Sequence, residues 1–501
     1  MPGRLTHTHW SQLSEFIAEK MGLHFPPERL VDLQRGVAEA AHELGFADVV
    51  ACVRCLLSAP PAKAQLQVLA SHLTIGETYF FRDKKSFDVL ADSILPELIR
   101  SRRSGERRLR IWSAACSTGE EAYSLAILLH QVLPDWRDWG VTIMATDING
   151  RFLHKAAAGI YGEWSFRDAP AGFKERYFKR TENGYYAILP EIRTLVTFAH
   201  LNLVEDVYPS LATDTNAMDI IFCRNALMYF TGPQLLKAIG KLHHALVEGG
   251  WLVVSPSEAS HSLFPQFVTV NFPGVILFQK SDAKVGIKPT PAPPSETAEP
   301  VAVAAGIPSP WALQMPAAQL TEPPSALPPD APAPTPALPI PYAVAESLYQ
   351  QGRYAEAADT LLAVFAEHPP DPAAYCLLAR ALANQGKLAD ALTWCDRWIA
   401  ADKLNSAGRY LRAVILLEQG DKAQARASLQ RAVYLHPDFV LAHFALGNLA
   451  RGAARNREAD KHFANASHLL GSYQPEDALP ESDGLTAGRL TETIAAIVNT
   501  P

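Results

Sequence analysis

The chain has 501 residues, which at ordinary domain sizes allows about three domains. Apolar residues make up 48% and charged residues 19%, and the formal net charge is −7, so packed cores are expected while a general nucleic-acid or membrane-surface binder, which needs a basic excess, is excluded. Six scattered cysteines, Cys52, Cys55, Cys116, Cys223, Cys376 and Cys395, exclude a disulfide scaffold and fit a reducing compartment. Cys52 and Cys55 form a C-x-x-C with no second Cys/His pair nearby, so packing is the expected role and no metal site is predicted.

Met1 to Trp10 is polar and lacks a basic stretch followed by an apolar one, so no secretory signal is expected. No run of about 18 apolar residues occurs, so no membrane span is predicted and a cytoplasmic location is expected. Residues 1–95 read as a helical subdomain: Phe16, Ile17 and Leu23, then Leu30, Leu33 and Val37, recur at spacings of three and four. A basic run follows at Arg100, Arg102, Arg103, Arg107, Arg108 and Arg110. A solvated loop accounts for it; the sharper reading is a docking patch for acidic helices, extended by Lys84 and Lys85.

Residues 96–283 alternate strand-like and helix-like runs. Leu109–Ala115 is a strand and 120–133 a helix; Val141–Thr146 and Asp219–Cys223 are strands, and 232–247 a helix; Trp251–Ser255 and Val275–Gln279 close the series. The alternation predicts an α/β, doubly wound, mostly parallel sheet. Around an Asn183-Gly184 turn signal, about 176–198, a small antiparallel β insertion is expected.

Residues 284–341 form a Pro/Ala-rich linker. Of the chain's 38 prolines, 17 lie between Pro289 and Pro341, no hydrophobic period survives, and disorder is expected. Residues 342–475 repeat. Gly352, Gly386 and Gly420 are spaced by 34 residues, with Ala454 next in phase; Ala357, Ala391, Ala425 and Ala459 follow five residues on, and Ala345, Ala379, Ala413 and Gly447 precede by seven. Period and small-residue phases resemble the tetratricopeptide repeat, an all-α array of helical hairpins. Residues 476–501 are left as a tail.

The chemistry-bearing residues cluster at two strand ends. The first βα junction, Ser113-Ala114-Ala115-Cys116-Ser117-Thr118-Gly119-Glu120-Glu121, brings small residues to a helix start, where a ligand can approach the backbone. It holds one glycine, not the three of a dinucleotide fingerprint. Its two glutamates suit a cationic group better than a pyrophosphate, although helix capping alone also accounts for them. Asp147 ends the next strand, where a ribose diol is gripped in such sheets. An ammonium and a ribose together point to S-adenosyl-L-methionine.

Three blocks in register, Gly76-Glu77-Thr78-Tyr79-Phe80-Phe81-Arg82, Thr118-Gly119-Glu120-Glu121 with Tyr123-Ser124, and Asp219-Ile220-Ile221-Phe222-Cys223-Arg224-Asn225, with Leu201-Asn202-Leu203 and Tyr229-Phe230, closely resemble the CheR family of chemotaxis receptor glutamate methyltransferases over roughly residues 10–280. A Pro-rich linker and tetratricopeptide repeats after such a body are similar to a subtype serving alternative chemosensory pathways. The resemblance implies a Rossmann-like methyltransferase sheet with S-adenosyl-L-methionine as methyl donor. It implies cofactor contacts at Thr78, Arg82, one of Glu120 and Glu121, Asp147, Asn202, Leu203, Asn225 and Ala226, and it places Arg82 and Tyr229 near the methyl and the acceptor. Gly76, Ala122 and Ala226 depart from the family's usual Asn, Pro and Val.

The implied reaction is methyl transfer to glutamate carboxylates on the cytoplasmic helices of chemoreceptors, which tunes signalling. A carboxylate is already nucleophilic at neutral pH, so in-line positioning is the main demand on the protein. Membranes are approached only through receptors, with recruitment to receptor arrays, and no nucleic acid is involved. Two other readings stand: a methyltransferase of this fold with a different acceptor, and a repeat scaffold carrying a degenerate enzyme body. Intact Arg82, Asp147, Asn225 and Tyr229 weigh against the last. A largely extended linker of about 50 residues reaches on the order of 100 Å, so the repeats are expected to fold alone and to take an unidentified protein in their groove.

Overall fold

The computed structural model describes residues 5–170, 172–211, 213–281, 340–367, 372–482 and 485–498. Four helices open it: α1 (His7–Met21), α2 (Leu30–Glu43), α3 (Val49–Ser58) and α4 (Lys63–Leu73). Leu13, Ile17, Leu33, Val37 and Val53 are fully buried in their shared core, as the helical spacing of the apolar residues requires. α1 ends at Gly22, which is left-handed with φ 77°. A Cβ at Gly22 would lie 2.7 Å from the ring of Phe230 and 3.0 Å from Val204, so the glycine lets the helical cap rest directly on the domain behind it. α5 (Lys84–Val89) and α6 (Leu95–Arg102), joined by one π turn, lead to the first strand.

Strand–helix alternation then builds the second layer: β1 (Arg108–Ala114), α7 (Glu120–Val132), β2 (Gly140–Asp147) and α8 (Gly150–Ala158). Next come β3 (Ile160–Tyr161), α9 (Phe173–Tyr177), β4 (Phe178–Arg180), β5 (Tyr186–Ile188) and α10 (Pro190–Arg193). β6 (Val196–His200), β7 (Met218–Cys223), α11 (Gly232–Ala245), β8 (Leu246–Val253), β9 (Val268–Phe272) and β10 (Val275–Gln279) complete it. The seven-stranded sheet has the order β6-β2-β1-β7-β8-β10-β9, parallel from β6 to β8 and antiparallel at β10 and β9. Strand order reverses between β1 and β7, and at such a switch point two loops diverge and leave a crevice. The expected insertion is present as a separate three-stranded sheet, β3-β5-β4. It ends earlier than predicted, because Val196–His200 pairs in parallel with β2 and forms the edge of the main sheet.

Eight helices follow in hairpins: α12 (Ile340–Gln350), α13 (Tyr354–Glu367), α14 (Pro372–Asn384), α15 (Leu388–Ala401), α16 (Ser406–Glu418), α17 (Lys422–Leu435), α18 (Val440–Gly452) and α19 (Asn456–Leu470). Gly352, Gly386 and Gly420 turn each hairpin at φ 72°, 76° and 84°, and Ala454 does the same at φ 55° with a Cβ to accommodate. A further helix, α20 (Ala487–Val498), lies in what the sequence left as a tail. The linker, as far as residue 339, lies outside the described residues.

The array does not stand apart from the α/β domain, contrary to expectation; both belong to one compact unit. Arg108 at the start of β1 donates to Glu418 at the end of α16 at 3.0 Å, with the two side chains 10% and 5% exposed. Asn216 donates to the other Glu418 oxygen, also at 3.0 Å. Leu211 is buried in the same apolar cluster as Leu378 and Trp398 of the array. Gly352 lies against His244 and Gly386 against Arg108 and Val247, so two hairpin turns touch the sheet domain. Four of the six arginines of the basic run form ion pairs within the chain, Arg108 with the array and three inside the α/β domain. Arg102 forms an ion pair with buried Asp219, Arg103 with Asp135 and Arg110 with Asp214, which corrects the docking-patch reading.

Candidate active site

The crevice at the switch point opens into a cleft at the carboxyl ends of β1, β2 and β7. Three backbone kinks shape it. Ala115 and Ser117 after β1, and Asn225 after β7, take left-handed conformations at φ 62°, 50° and 56°. Such conformations are costly for non-glycine residues and persist where the surroundings over-determine them. Here a carboxylate performs that role on each side. Asp147 accepts the Ser117 and Asn149 amides, each at 2.8 Å. Glu258 accepts the amides of Asn225 at 2.8 Å, Ala226 at 2.9 Å and Met228 at 3.1 Å, together with the Ser255 hydroxyl at 2.6 Å.

The cleft brings together Thr78, Arg82, Glu121, Asp147, Asn202, Leu203, Asn225, Ala226 and Tyr229. Glu120 is not among its lining residues. Its carboxylate accepts the hydroxyls of Thr118 at 2.6 Å and Ser165 at 2.9 Å, inside the domain. Of the two candidate glutamates, only Glu121 faces the cleft. Asn202 lines the cleft while its amide donates to the Lys20 carbonyl at 2.8 Å, tying the cap to the wall.

The floor is acidic and the rim basic. Asp147 is 6% exposed, and burial pushes its carboxyl up against the opposing pull of the Asn149 and Ser117 amides. Burial likewise raises Glu121, opposed by Arg224 and by the Ser113 hydroxyl. Arg224 is shared between Glu121 at 3.4 Å and Asp83 at 3.5 Å. Half-buried Arg82 donates to the Glu77 carbonyl at 2.7 Å and lies 5.8 Å from the centre of the Tyr79 ring. Arg29 sits 5.5 Å from the centre of the Tyr229 ring, which the cap also holds by a 2.8 Å bond from the His24 amide to the Tyr229 carbonyl. Cys116 lines the cleft as a thiol that burial holds far from ionisation.

Three cleft atoms, His24 Nδ1, Ser117 Oγ and Arg224 Nε, are buried without a hydrogen-bond partner. Unpartnered buried polar atoms beside two under-neutralised carboxylates fit a ligand that carries hydroxyls, ring nitrogens and a positive charge. S-adenosyl-L-methionine has all three, and Asp147 and Glu121 are the residues that would hold its diol and its ammonium. Glu258, Arg224, Arg29 and His24 were not singled out from the sequence. For Glu258 a signal existed: an acid in Ser255-Pro256-Ser257-Glu258, just past a central strand, stands where such sheets bind ligands.

Fold and site together define a methyltransferase that uses S-adenosyl-L-methionine. Residues 76–273 match the family model described as CheR methyltransferase, SAM binding domain, while residues 342–406 and 408–438 match tetratricopeptide repeat models. The chain is 38% identical over 216 residues to chemotaxis protein methyltransferase 1 of Pseudomonas aeruginosa, covering 42% of this chain and 76% of that protein. It is 30% identical over 403 residues to the probable biofilm formation methyltransferase WspC of the same organism, covering 77% and 83%. An uncharacterized 104.1 kDa protein of Rhodobacter capsulatus is 34% identical over 243 residues, and the chain spans 24% of its length. The chain belongs to the CheR family of S-adenosyl-L-methionine-dependent methyltransferases and carries a C-terminal tetratricopeptide array. No helix among the described residues is long and apolar enough to cross a membrane.

Proposed function

We propose that the chain transfers a methyl group from S-adenosyl-L-methionine to glutamate side chains on the cytoplasmic helices of chemoreceptors, and so tunes a chemosensory pathway from the cytoplasm. The observation that carries this reading is the charge order of the cleft, with buried acids Asp147 and Glu121 on the floor and half-buried Arg82 and Arg29 at the rim. A cationic donor suits the floor and an anionic acceptor the rim. Names of relatives that refer to chemotaxis and biofilm formation support the same assignment.

The donor's sulfonium supplies an electrophilic methyl. The acceptor carboxylate is ionised at neutral pH, so no side chain needs to remove a proton. Arg82 orients the carboxylate through its free donors. Its bond to the Glu77 carbonyl fixes the guanidinium without neutralising it, which leaves it able to attract and orient an acceptor carboxylate. Tyr229 lines the path of transfer, held between the Arg29 guanidinium and the His24 amide. Alignment in line, with loss of water, is the expected source of rate.

The test is incubation of the chain with S-adenosyl-L-methionine labelled in the methyl and membranes holding candidate receptors. Base-labile label on a receptor band is expected. Label confined to small molecules or to other proteins overturns the receptor assignment.

A further inference from the structure

One face of the repeat array is occupied by the chain itself. After α19 the chain folds back on itself, with Ala478 bridged to Thr486 and α20 following. Leu479, Leu485, Leu490 and Ile494 are 3%, 7%, 1% and 3% exposed, in one cluster with Tyr410 of α16 and Leu441 of α18. Arg380 of α14 donates to Glu481 at 2.7 Å, and Arg451 of α18 donates to the Ile497 carbonyl. These arginines stand two repeats apart, each on the first helix of its hairpin, and both bond to the same returning segment. The segment therefore runs along one face of the stack and does not merely cap its end.

From that seat it reaches the methyltransferase domain. Buried Arg489 donates to Glu205 at 2.5 Å and to the His200 carbonyl, and Glu492 pairs with Lys63 at 3.2 Å. Glu205 lies three residues beyond Asn202, donates its amide to the Asn202 carbonyl at 3.1 Å, and so adjoins the cleft wall.

We propose that residues 473–498 are a built-in ligand of the repeat array that fastens it beside the donor cleft, and that a protein partner gains this face by replacing them. The partner it fits is a segment with a leucine stripe and an acidic side chain for Arg380. Binding energy used to displace the segment also releases Arg489 from the cleft wall, so partner capture and donor affinity are thermodynamically linked.

Two measurements on the full chain test this. In hydrogen exchange, amides of 487–498 are expected to open at least tenfold more often than those of α18, because a ligand leaves its seat while the receptor stays folded. Equal protection of the two helices makes α20 an integral part of the array and overturns the proposal. A fluorescent peptide of residues 473–498 is expected to bind the Leu490→Asp chain at least tenfold more tightly than the wild type. Circular dichroism confirms that the variant keeps its helix content; Arg489→Glu, which alters only the contact to the sheet domain, serves if it does not. Equal binding to variant and wild type overturns the proposal.

Discussion

The two ends of β1 are built on opposite electrostatic plans. At its start, Arg108 and Arg110 each face a carboxylate of the chain, Glu418 and Asp214, and Arg102 pairs with Asp219 next door. At its finish, Asp147 is met only by backbone amides and Glu121 shares one arginine with Asp83. The first end is complete within the chain and holds domains together. The second is left acidic and under-paired, which suits a cationic molecule. Buried charge alone does not mark a functional site; what distinguishes the two ends is whether the counter-charge is supplied from inside.

The contrast is broken hardest at the first end. Glu418→Ala strands Arg108 in the interior and takes an acceptor from Asn216; loss of one partner of a buried pair costs about 3–5 kcal/mol. A large fall in the urea midpoint is expected, with Glu418→Gln falling less. At the second end, Asp147→Ala frees the Ser117 and Asn149 amides, so a smaller fall in the urea midpoint is expected, with donor binding weakened by about 1.5–3 kcal/mol, roughly tenfold to a hundredfold, as read by calorimetry. Unchanged affinity would remove Asp147 from the donor site. Arg82→Ala should leave the melting temperature in place and cut turnover about tenfold, the cost of one charge-assisted hydrogen bond; wild-type turnover would remove Arg82 from the acceptor side.

A fourth prediction concerns acid. Burial, with Arg489 nearby, pushes His200 down to about 4, and burial beside Lys280 does the same to His244 at the array seam. Both lie below the unfolded value of about 6.5. The unfolded chain therefore binds the extra protons, and stability present above pH 6.5 is lost as pH falls towards 4. Denaturant midpoints at pH 7 and pH 5 should differ accordingly, and His244→Gln should reduce the difference. The smallest effect is expected at the fourth hairpin turn. Ala454→Gly removes a left-handed Cβ and should stabilise the array by about 1 kcal/mol in thermal melts.

What was legible in the sequence was local. The segment before α5 and the loops after β1, β2, β6 and β7 carry the motif residues in contiguous runs, and nine of the ten named site residues meet at one cleft. Repeat phase was equally local, since glycine at three of the four hairpin turns answers a backbone requirement. What was hidden depends on distant partners. Arg108 finds Glu418 across 310 residues, so a run of arginines looked like free surface. Val196–His200 resembled its antiparallel neighbours until its register with Ile143–Asp147 assigned it to the main sheet. Glu258 acts mainly on the backbone amides of 225–228, some 30 residues away, and the identities of those residues do not announce such a partner.

A Cβ on Gly76 would fall 2.6 Å from the ring of Phe152, which helps to line the cleft. The two positions are therefore a coupled pair. A side chain at 76 needs the Phe152 ring to swing aside or shrink, and the space it takes comes out of the cleft wall that this ring helps to form.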